Sequence, residues 1–431
     1  MKKTIHALKD FLILWGSQAV SAMGTAMVNY ALILWVYAQN GSATDLARMS
    51  IFALLPSIFF ALPAGTLADR WNKKTVMLLA DCAAALGTAA IWLLYATDAL
   101  QIWHLYAVNF LLSFMTAFQS PASYVAVSLL VPKEHYARAS GLQGLSESIV
   151  TIFAPALGGV LLAFYGLELV LLVDLVTFAI AFFTLLLVIK LPPTPAAPSI
   201  AKERWLETCA VGFRYLKKHK AMLRFILFFA FVTFVERFGW GMLPAYVLAR
   251  SGGDQGAYAL VEMVGGVSSL AAGLLVTLAR PAKRRVRMVF LCCGLAFVLG
   301  EMLISLGRAL PLWLLSVAIA SFPIDLLNAN KSAVMRTYIP TALQGRVSSI
   351  ESAMKTVTGV LGYLGAGHLA DYVLEPFMRT ASPLQGVLAA VFGSGQGSGI
   401  AVMFFVAGTV GAAGCFWAMG NKGFGVLEEM R

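Results

Sequence analysis

Val131-Pro132-Lys133-Glu134-His135-Tyr136-Ala137-Arg138 closes one long apolar run, and Ile339-Pro340-Thr341-Ala342-Leu343-Gln344-Gly345-Arg346 closes another 208 positions later. The same offset carries Gly65, ahead of the basic cluster Arg70/Lys73/Lys74, onto Gly273, ahead of the cluster Arg280 to Arg287. The chain therefore reads as a duplication. Each copy holds six apolar segments of the roughly 20 residues a membrane span requires. They fall at about 11–37, 46–68, 75–96, 103–130, 138–164 and 168–190, then at about 222–249, 256–279, 288–307, 311–338, 346–370 and 399–419. An even number of spans per copy gives both copies one orientation, related by an axis along the membrane normal.

Composition agrees. Of 431 residues, 59% are hydrophobic, 12% are charged, and mean hydropathy is +0.80. Soluble domains run at about 45–50% apolar and about 25% charged, so lipid must solvate most of this surface. The net charge of +11 comes in short clusters between apolar runs, as topology signals do, rather than in a nucleic-acid-binding domain. With the clusters at 70–74, 133–138, 202–220, 280–287 and Arg346 inside, the outer loops keep little beyond Arg250, Arg308 and Arg379. Both termini are then cytoplasmic. The fold class is all-α: twelve transmembrane helices in two parallel pseudo-symmetric halves, 1–190 and 222–431.

The interval 191–221 is the linker. It opens with Pro192-Pro193-Thr194-Pro195 and turns amphipathic, Trp205, Cys209, Phe213 and Leu216 recurring at helical spacing among Lys and Arg. Such a helix lies along the inner membrane surface. The stretch 372–398, with Glu375-Pro376 and a Gly/Ser run, reads as an extended loop. The five cysteines have no metal-ligand spacing and read as reduced, small apolar residues; the five histidines fall near segment ends or loops. No metal site, cofactor or phosphate-binding loop is implied, and an enzyme is not.

Gly65-Thr-Leu-Ala-Asp69-Arg70-Trp-Asn-Lys73-Lys74 resembles the signature loop of the major facilitator superfamily, with Asn72 in place of a second Gly. Asn tolerates a left-handed turn better than most residues. By that resemblance Asp69 latches onto the amino end of the eleventh span near Gln344 to Arg346, where a helix dipole favours an anion. Trp15-Gly-Ser-Gln18-Ala-Val-Ser21, Gly24, Gly41-Ser42-Ala43, Val131-Pro132-Lys-Glu134 and Glu375-Pro376-Phe-Met378 are similar to the macrolide-efflux group of drug:proton antiporters. Ala154-Pro155-Ala-Leu-Gly158-Gly159 resembles the antiporter motif of the fifth span, with Ala154 and Val150 where Gly is usual. Members of the group often carry Asp after the first-span Gly. Thr25 stands here, so a carboxylate role at that place passes to another residue.

Charged groups at membrane depth are costly and mark function. Glu236 and Arg237 lie near the middle of the seventh span, and Asp325 is similarly central in the tenth. Glu262 and Glu301 fall near outer ends, within snorkelling reach of the interface. The resemblance makes spans 1, 4, 7 and 10 line the central cavity, which selects Gln18, Asn29, Asn109, Gln119, Arg237, Trp240, Asn328 and Lys331 as substrate candidates. Glu236 and Asp325 are the proton-coupling candidates. A buried carboxylate balanced between desolvation and a nearby cation can load and release a proton. Adjacent helical residues point about 100° apart, so Arg237 does not serve as the direct partner of Glu236. Glu147 and Lys355 are repeat-equivalent and could pair. Two cargo readings stay open: amphipathic drug-like compounds exchanged for protons, or a metabolite, siderophore or lipid, with Arg237 and Lys331 favouring an anion. The expected setting is a bacterial inner membrane, with a monomer driven by the proton motive force.

Overall fold

The computed structural model describes residues 8–132, 136–191, 205–278, 282 and 284–429. Among them there is no strand. The helices are α1 (Lys9–Asn40), α2 (Ala43–Arg70), α3 (Lys73–Ala96), α4 (Ile102–Leu130), α5 (Tyr136–Phe183), α6 (Trp205–Lys218), α7 (Lys220–Gly239), α8 (Leu243–Arg250) and α9 (Gln255–Leu278). They continue as α10 (Arg285–Ala296), α11 (Leu303–Ser305), α12 (Leu310–Tyr338), α13 (Thr341–Leu369), α14 (Glu375–Arg379), α15 (Pro383–Phe392), α16 (Ser398–Gly420) and α17 (Lys422–Glu429). Among the described residues eight stretches are long and apolar enough to cross a membrane, and one of them, Leu142–Val188, runs for 47 residues. That length holds two spans. Gly166 breaks α5 at the place where the apolar pattern divides, with φ +76° and ψ 176°. Only glycine visits such a conformation freely.

The chain forms two compact units. One holds residues up to Trp35 together with Phe52–Trp205, and the other holds Val36–Ile51 and Leu206–Arg431. In the first, glycine lets α5 approach α1. A Cβ on Gly158 would lie 3.2 Å from the Met27 carbonyl oxygen, and Pro155 one turn earlier is buried. Asn72 does not make the left-handed turn expected of it. It is extended (φ −63°, ψ 119°) and caps α3, its Oδ1 accepting from the N–H of Lys74 at 2.9 Å and of Thr75 at 3.4 Å. An Asn at this position satisfies helix-end donors that a Gly would leave to solvent, a difference of about 0.5 kcal/mol.

The second unit is built on interlocked aromatic rings. Phe228 meets Phe290 at 5.1 Å, Phe290 meets Phe424 at 4.9 Å, and Phe225 meets Phe229 at 5.0 Å. α17 is thereby tied to α7 and α10, and its Glu428 caps α10 by accepting from the Arg287 N–H at 2.9 Å. The amphipathic α6 begins at Trp205; Leu216 is buried while Phe213 is 55% exposed, so the four-residue apolar stripe is not uniformly packed. The side chains of Trp205 and Cys209 lie outside the described residues. Tyr215 donates to the Tyr338 carbonyl at 3.0 Å, and burial raises its phenol pKa.

The stretch 372–398 is mostly helical rather than an extended loop, with non-helical backbone only at 380–382 and in the Gly/Ser run 393–397. A π-helical turn at Ala370–Leu374 leads into α14 and α15. α15 is stopped by Gly393 at φ +81°. Its last carbonyls are clamped by arginine: Arg308 Nη2 donates to Ala390 O at 2.6 Å and Val391 O at 3.1 Å, and Arg250 donates to Phe392 O. Glu375 in turn accepts from the Ile400 N–H at 3.1 Å, at the start of α16. Arg250 and Arg308 thus serve as helix C-caps.

α2 begins on a carboxylate from the same π-helical turn. Asp371 accepts from the N–H groups of Ala43 (3.2 Å) and Thr44 (2.8 Å) and from the Ser42 hydroxyl (2.9 Å), and Thr44 Oγ1 donates to Gly367 O at 2.9 Å. Gly367 is required for this approach, because a Cβ there would stand 2.8 Å from the Thr44 Cα. An anion across two free N–H groups at a helix start combines capping with the helix dipole. Asp371→Ala should therefore lower stability by about 1–2 kcal/mol, read as a drop in the thermal unfolding midpoint of the detergent-solubilised protein. Asp371→Asn, which keeps an acceptor, should lose less.

Candidate functional site

The second unit contains a cavity of about 250 Å³. Val232, Phe297, Ala320, Ile324 and Leu327 give it an apolar wall, and Glu236, Trp240, Cys293, Glu301 and Asn328 supply the polar and aromatic groups. Glu236 and Trp240 are one helical turn apart and so share a face. The Trp240 N–H makes a helical bond to Glu236 O, and the backbone then tightens into a 3₁₀ turn over Trp240–Met242 before α8.

Glu301 arrives from the other side. Within the apolar stretch Arg285–Ser305 the backbone loosens to a π-helix over Phe297–Met302. Each π turn shifts the helix face relative to an α-helical projection. The snorkelling position expected for Glu301 is therefore not the one it takes. It is 3% exposed, lines the cavity, and lies against Gly239, where an added Cβ would come within 2.8 Å of Oε2.

Asp325, the other coupling candidate, accepts from Ser269 at 3.0 Å and is absent from the lining, which α12 supplies through Ala320, Ile324, Leu327 and Asn328. Arg237 and Lys331 are absent from the lining too. Arg237 Nη1 lies 3.4 Å from the Tyr363 hydroxyl, and its Nη2 is 3.9 Å from Glu236, a loose contact between adjacent residues. Lys331 Nζ is 2.6 Å from Glu351 and 4.2 Å from the centre of the Phe229 ring, while Lys355 lies 3.0 Å from the same Glu351 oxygen. One carboxylate therefore holds two ammonium groups, and Lys355 has its ion pair with Glu351, four residues away on α13. Glu147 is exposed on α5.

In the first unit Gln18 and Gln119 converge on a carboxylate the sequence reading passed over. Gln119 donates to Asp81 Oδ1 at 2.7 Å and Gln18 to Oδ2 at 3.4 Å. A second one, Asp174, accepts from Thr25 at 3.1 Å and Thr88 at 2.8 Å. Its backbone would be 3.1 Å from a Cβ at Gly24. Asp174 of α5 thus places a carboxylate beside Thr25, the position where the macrolide-efflux resemblance expects one. The available signal was a lone Asp in each of two apolar spans. Asn29 is exposed on α1 and Asn109 half-buried on α4. In the loop motif, Lys74 donates to the Leu186 and Ile189 carbonyls at 2.9 and 2.8 Å, and Lys73 is buried with Nζ on Trp71 O at 3.2 Å. The side chains of Asp69, Arg70, Gln344 and Arg346 lie outside the described residues.

The Glu351 cluster makes a clear energetic prediction. Removing one partner from a desolvated ion cluster strands the remaining charge, whereas removing both members of a pair does not. Glu351→Met, which strands the buried Lys331, should destabilise by about 3 kcal/mol in thermal or denaturant unfolding, and adding Lys331→Met should recover part of that loss, since the remaining Lys355 is 38% exposed.

Residues 14–363 match the sequence model of the Major Facilitator Superfamily. Macrolide efflux protein A of Streptococcus pyogenes is 23% identical over 376 residues, covering 86% of this chain and 92% of that protein. The enterobactin exporter EntS of Shigella flexneri is 28% identical over 322 residues, covering 70% and 72%. Among solved structures, a mutant of the nucleoside transporter NupG aligns with a TM-score of 0.73 at 16% identity, covering 95% of this chain and 99% of that one. A bacterial homologue of the lysosomal transporter Spinster, inward-facing and unoccupied, aligns at 0.67 with 16% identity, covering 98% of each. These structures share the fold. The chain belongs to the Major Facilitator Superfamily and is a multi-pass membrane transporter, not an enzyme.

Proposed function

We propose that the protein exports amphipathic drug-like compounds across a bacterial inner membrane in exchange for protons, by alternating access. In this reading twelve spans form two parallel halves, 1–190 and 222–431, joined through 191–221. Both termini are cytoplasmic, and the protein works as a monomer. The observation that carries the reading is the cavity itself: a mostly apolar wall, an aromatic ring at Trp240, and Glu236 placed among them. An apolar surface with few polar groups suits an amphipathic ligand. A carboxylate within it can exchange a proton for cargo. The names of two relatives, a macrolide efflux protein and an enterobactin exporter, support export as the direction.

The second of those names favours the alternative, export of a siderophore or other metabolite. An anionic cargo would draw on Arg237 and Lys331, which both bond elsewhere in this structure. In the first unit, Gln18, Asn29, Asn109 and Gln119 remain candidates for cargo contact. The motif residues Gly65, Asp69, Arg70, Lys73 and Lys74 remain the proposed latch, and Pro155, Gly158 and Gly159 the antiporter-like motif.

The test is proton release from purified protein on adding lipophilic drugs. Wild type should acidify a weakly buffered solution on binding, and loss of that acidification in Glu236→Gln or in Asp325→Asn would assign the exchanged proton to that carboxylate. Binding with no acidification in wild type would argue for uncoupled movement, and no drug binding at all would turn the reading toward a metabolite. Gly239→Ala places a methyl group within 3 Å of the Glu301 carboxylate. It should displace that group and weaken drug binding by about tenfold while leaving the protein folded, as tested by gel filtration and ligand titration.

A further inference from the structure

Both charged groups in the cavity lining are carboxylates, Glu236 and Glu301. The cations around them are engaged: Arg237 lies at Tyr363 and loosely at Glu236, and Lys331 and Lys355 are both held on Glu351. Cys293 adds a neutral thiol to the wall. Glu301 differs from Asp81, Asp174, Asp371 and Glu351 in its partners. Asp81 and Asp174 each accept from two side chains, Asp371 from two backbone groups and a hydroxyl, and Glu351 is paired with two ammonium groups. Glu301 is 3% exposed, and its Oε2 has no hydrogen-bond partner among the described residues. Its one backbone contact is from Trp240.

A carboxylate removed from water with an oxygen unsatisfied costs several kcal/mol unless it carries a proton or meets a cation. The groups beside this one say which cation fits. The wall is apolar, so a hydrated metal ion would find few oxygen ligands, whereas an organic ammonium brings its own apolar body. Trp240 offers a ring that attracts such a charge. We infer that this cavity is a binding site for a protonated amine on an apolar scaffold, with Glu301 its ionic anchor and Glu236 the second carboxylate of the pair. The ammonium enters already protonated, and the one proton that neutralised the Glu301 carboxylate in its absence leaves to water, so the charge in the cavity is unchanged. This deepens the export reading and rests on it.

The test compares nortriptyline, a secondary amine protonated at neutral pH, with its uncharged N-acetyl derivative, by equilibrium binding to the full-length protein in lipid nanodiscs. Wild type should prefer the amine by about tenfold or more, the value of a charge-assisted bond. Glu301→Gln should abolish that preference without weakening the acetyl derivative, and Glu301→Asp should keep part of it. A second readout needs no substitution. Dicyclohexylcarbodiimide adds to a protonated carboxyl and rearranges to a stable N-acylurea, whose mass marks the residue. Nortriptyline should slow the labelling of Glu301, and the acetyl derivative should not. Equal affinity for the two compounds in wild type, an unchanged preference in Glu301→Gln, or equal protection from labelling would overturn the inference. Amine preference without drug-driven proton counterflow in proteoliposomes would leave this site standing and sink the antiport reading.

Discussion

A backbone that passes through hydrocarbon has to satisfy its own N–H and C=O groups, because no water is there to do so. Within a helix this is automatic. At helix ends it is not, and the tertiary structure here is organised around those ends. Asp371 closes the start of α2, Asn72 that of α3, Glu428 that of α10 and Glu375 that of α16. Arg250 and Arg308 close the end of α15, and Lys74 the end of the π-helical turn Thr184–Val188 that follows α5. Apart from the neutral Asn72, anions sit at amino ends and cations at carboxyl ends, the arrangement a helix dipole favours.

The same constraint explains where the interior departs from regular helix. α7 gives way to a 3₁₀ turn at Trp240, and the stretch following α10 widens into a π-helix at Phe297. Each irregularity faces the cavity, and each aims a functional group into it. Gly239 permits the two to meet, since any side chain there would occupy the space of the Glu301 carboxylate. Irregular backbone at membrane depth is tolerated where it lines a cavity, and the cavity follows from it.

Buried charge is managed in two ways. Glu351, Asp81, Asp174 and Asp371 are each surrounded by donors or cations and behave as structural joints. Glu236 and Glu301 are not surrounded in this way and share one apolar space. The difference between the two groups lies in partners, not in residue type or depth, so a list of intramembrane acids does not separate them.

The apolar runs and the scarcity of charge determined by themselves that the chain is helical and resides in lipid, because no other backbone arrangement of such segments is stable there. The loop motif carried the family, and the four-residue spacing of Glu236 and Trp240 placed them on one face, since both properties are local. Only the tertiary structure decided that Glu301 joins Glu236 while Asp325 turns to Ser269, that Gln18 and Gln119 meet on Asp81, and that Thr25 borrows its carboxylate from Asp174. A π turn rotates every residue beyond it by an amount that an α-helical projection cannot contain. Partners more than a hundred positions apart, such as Thr25 and Asp174, leave no periodic trace in the chain, because their meeting depends on how whole helices pack.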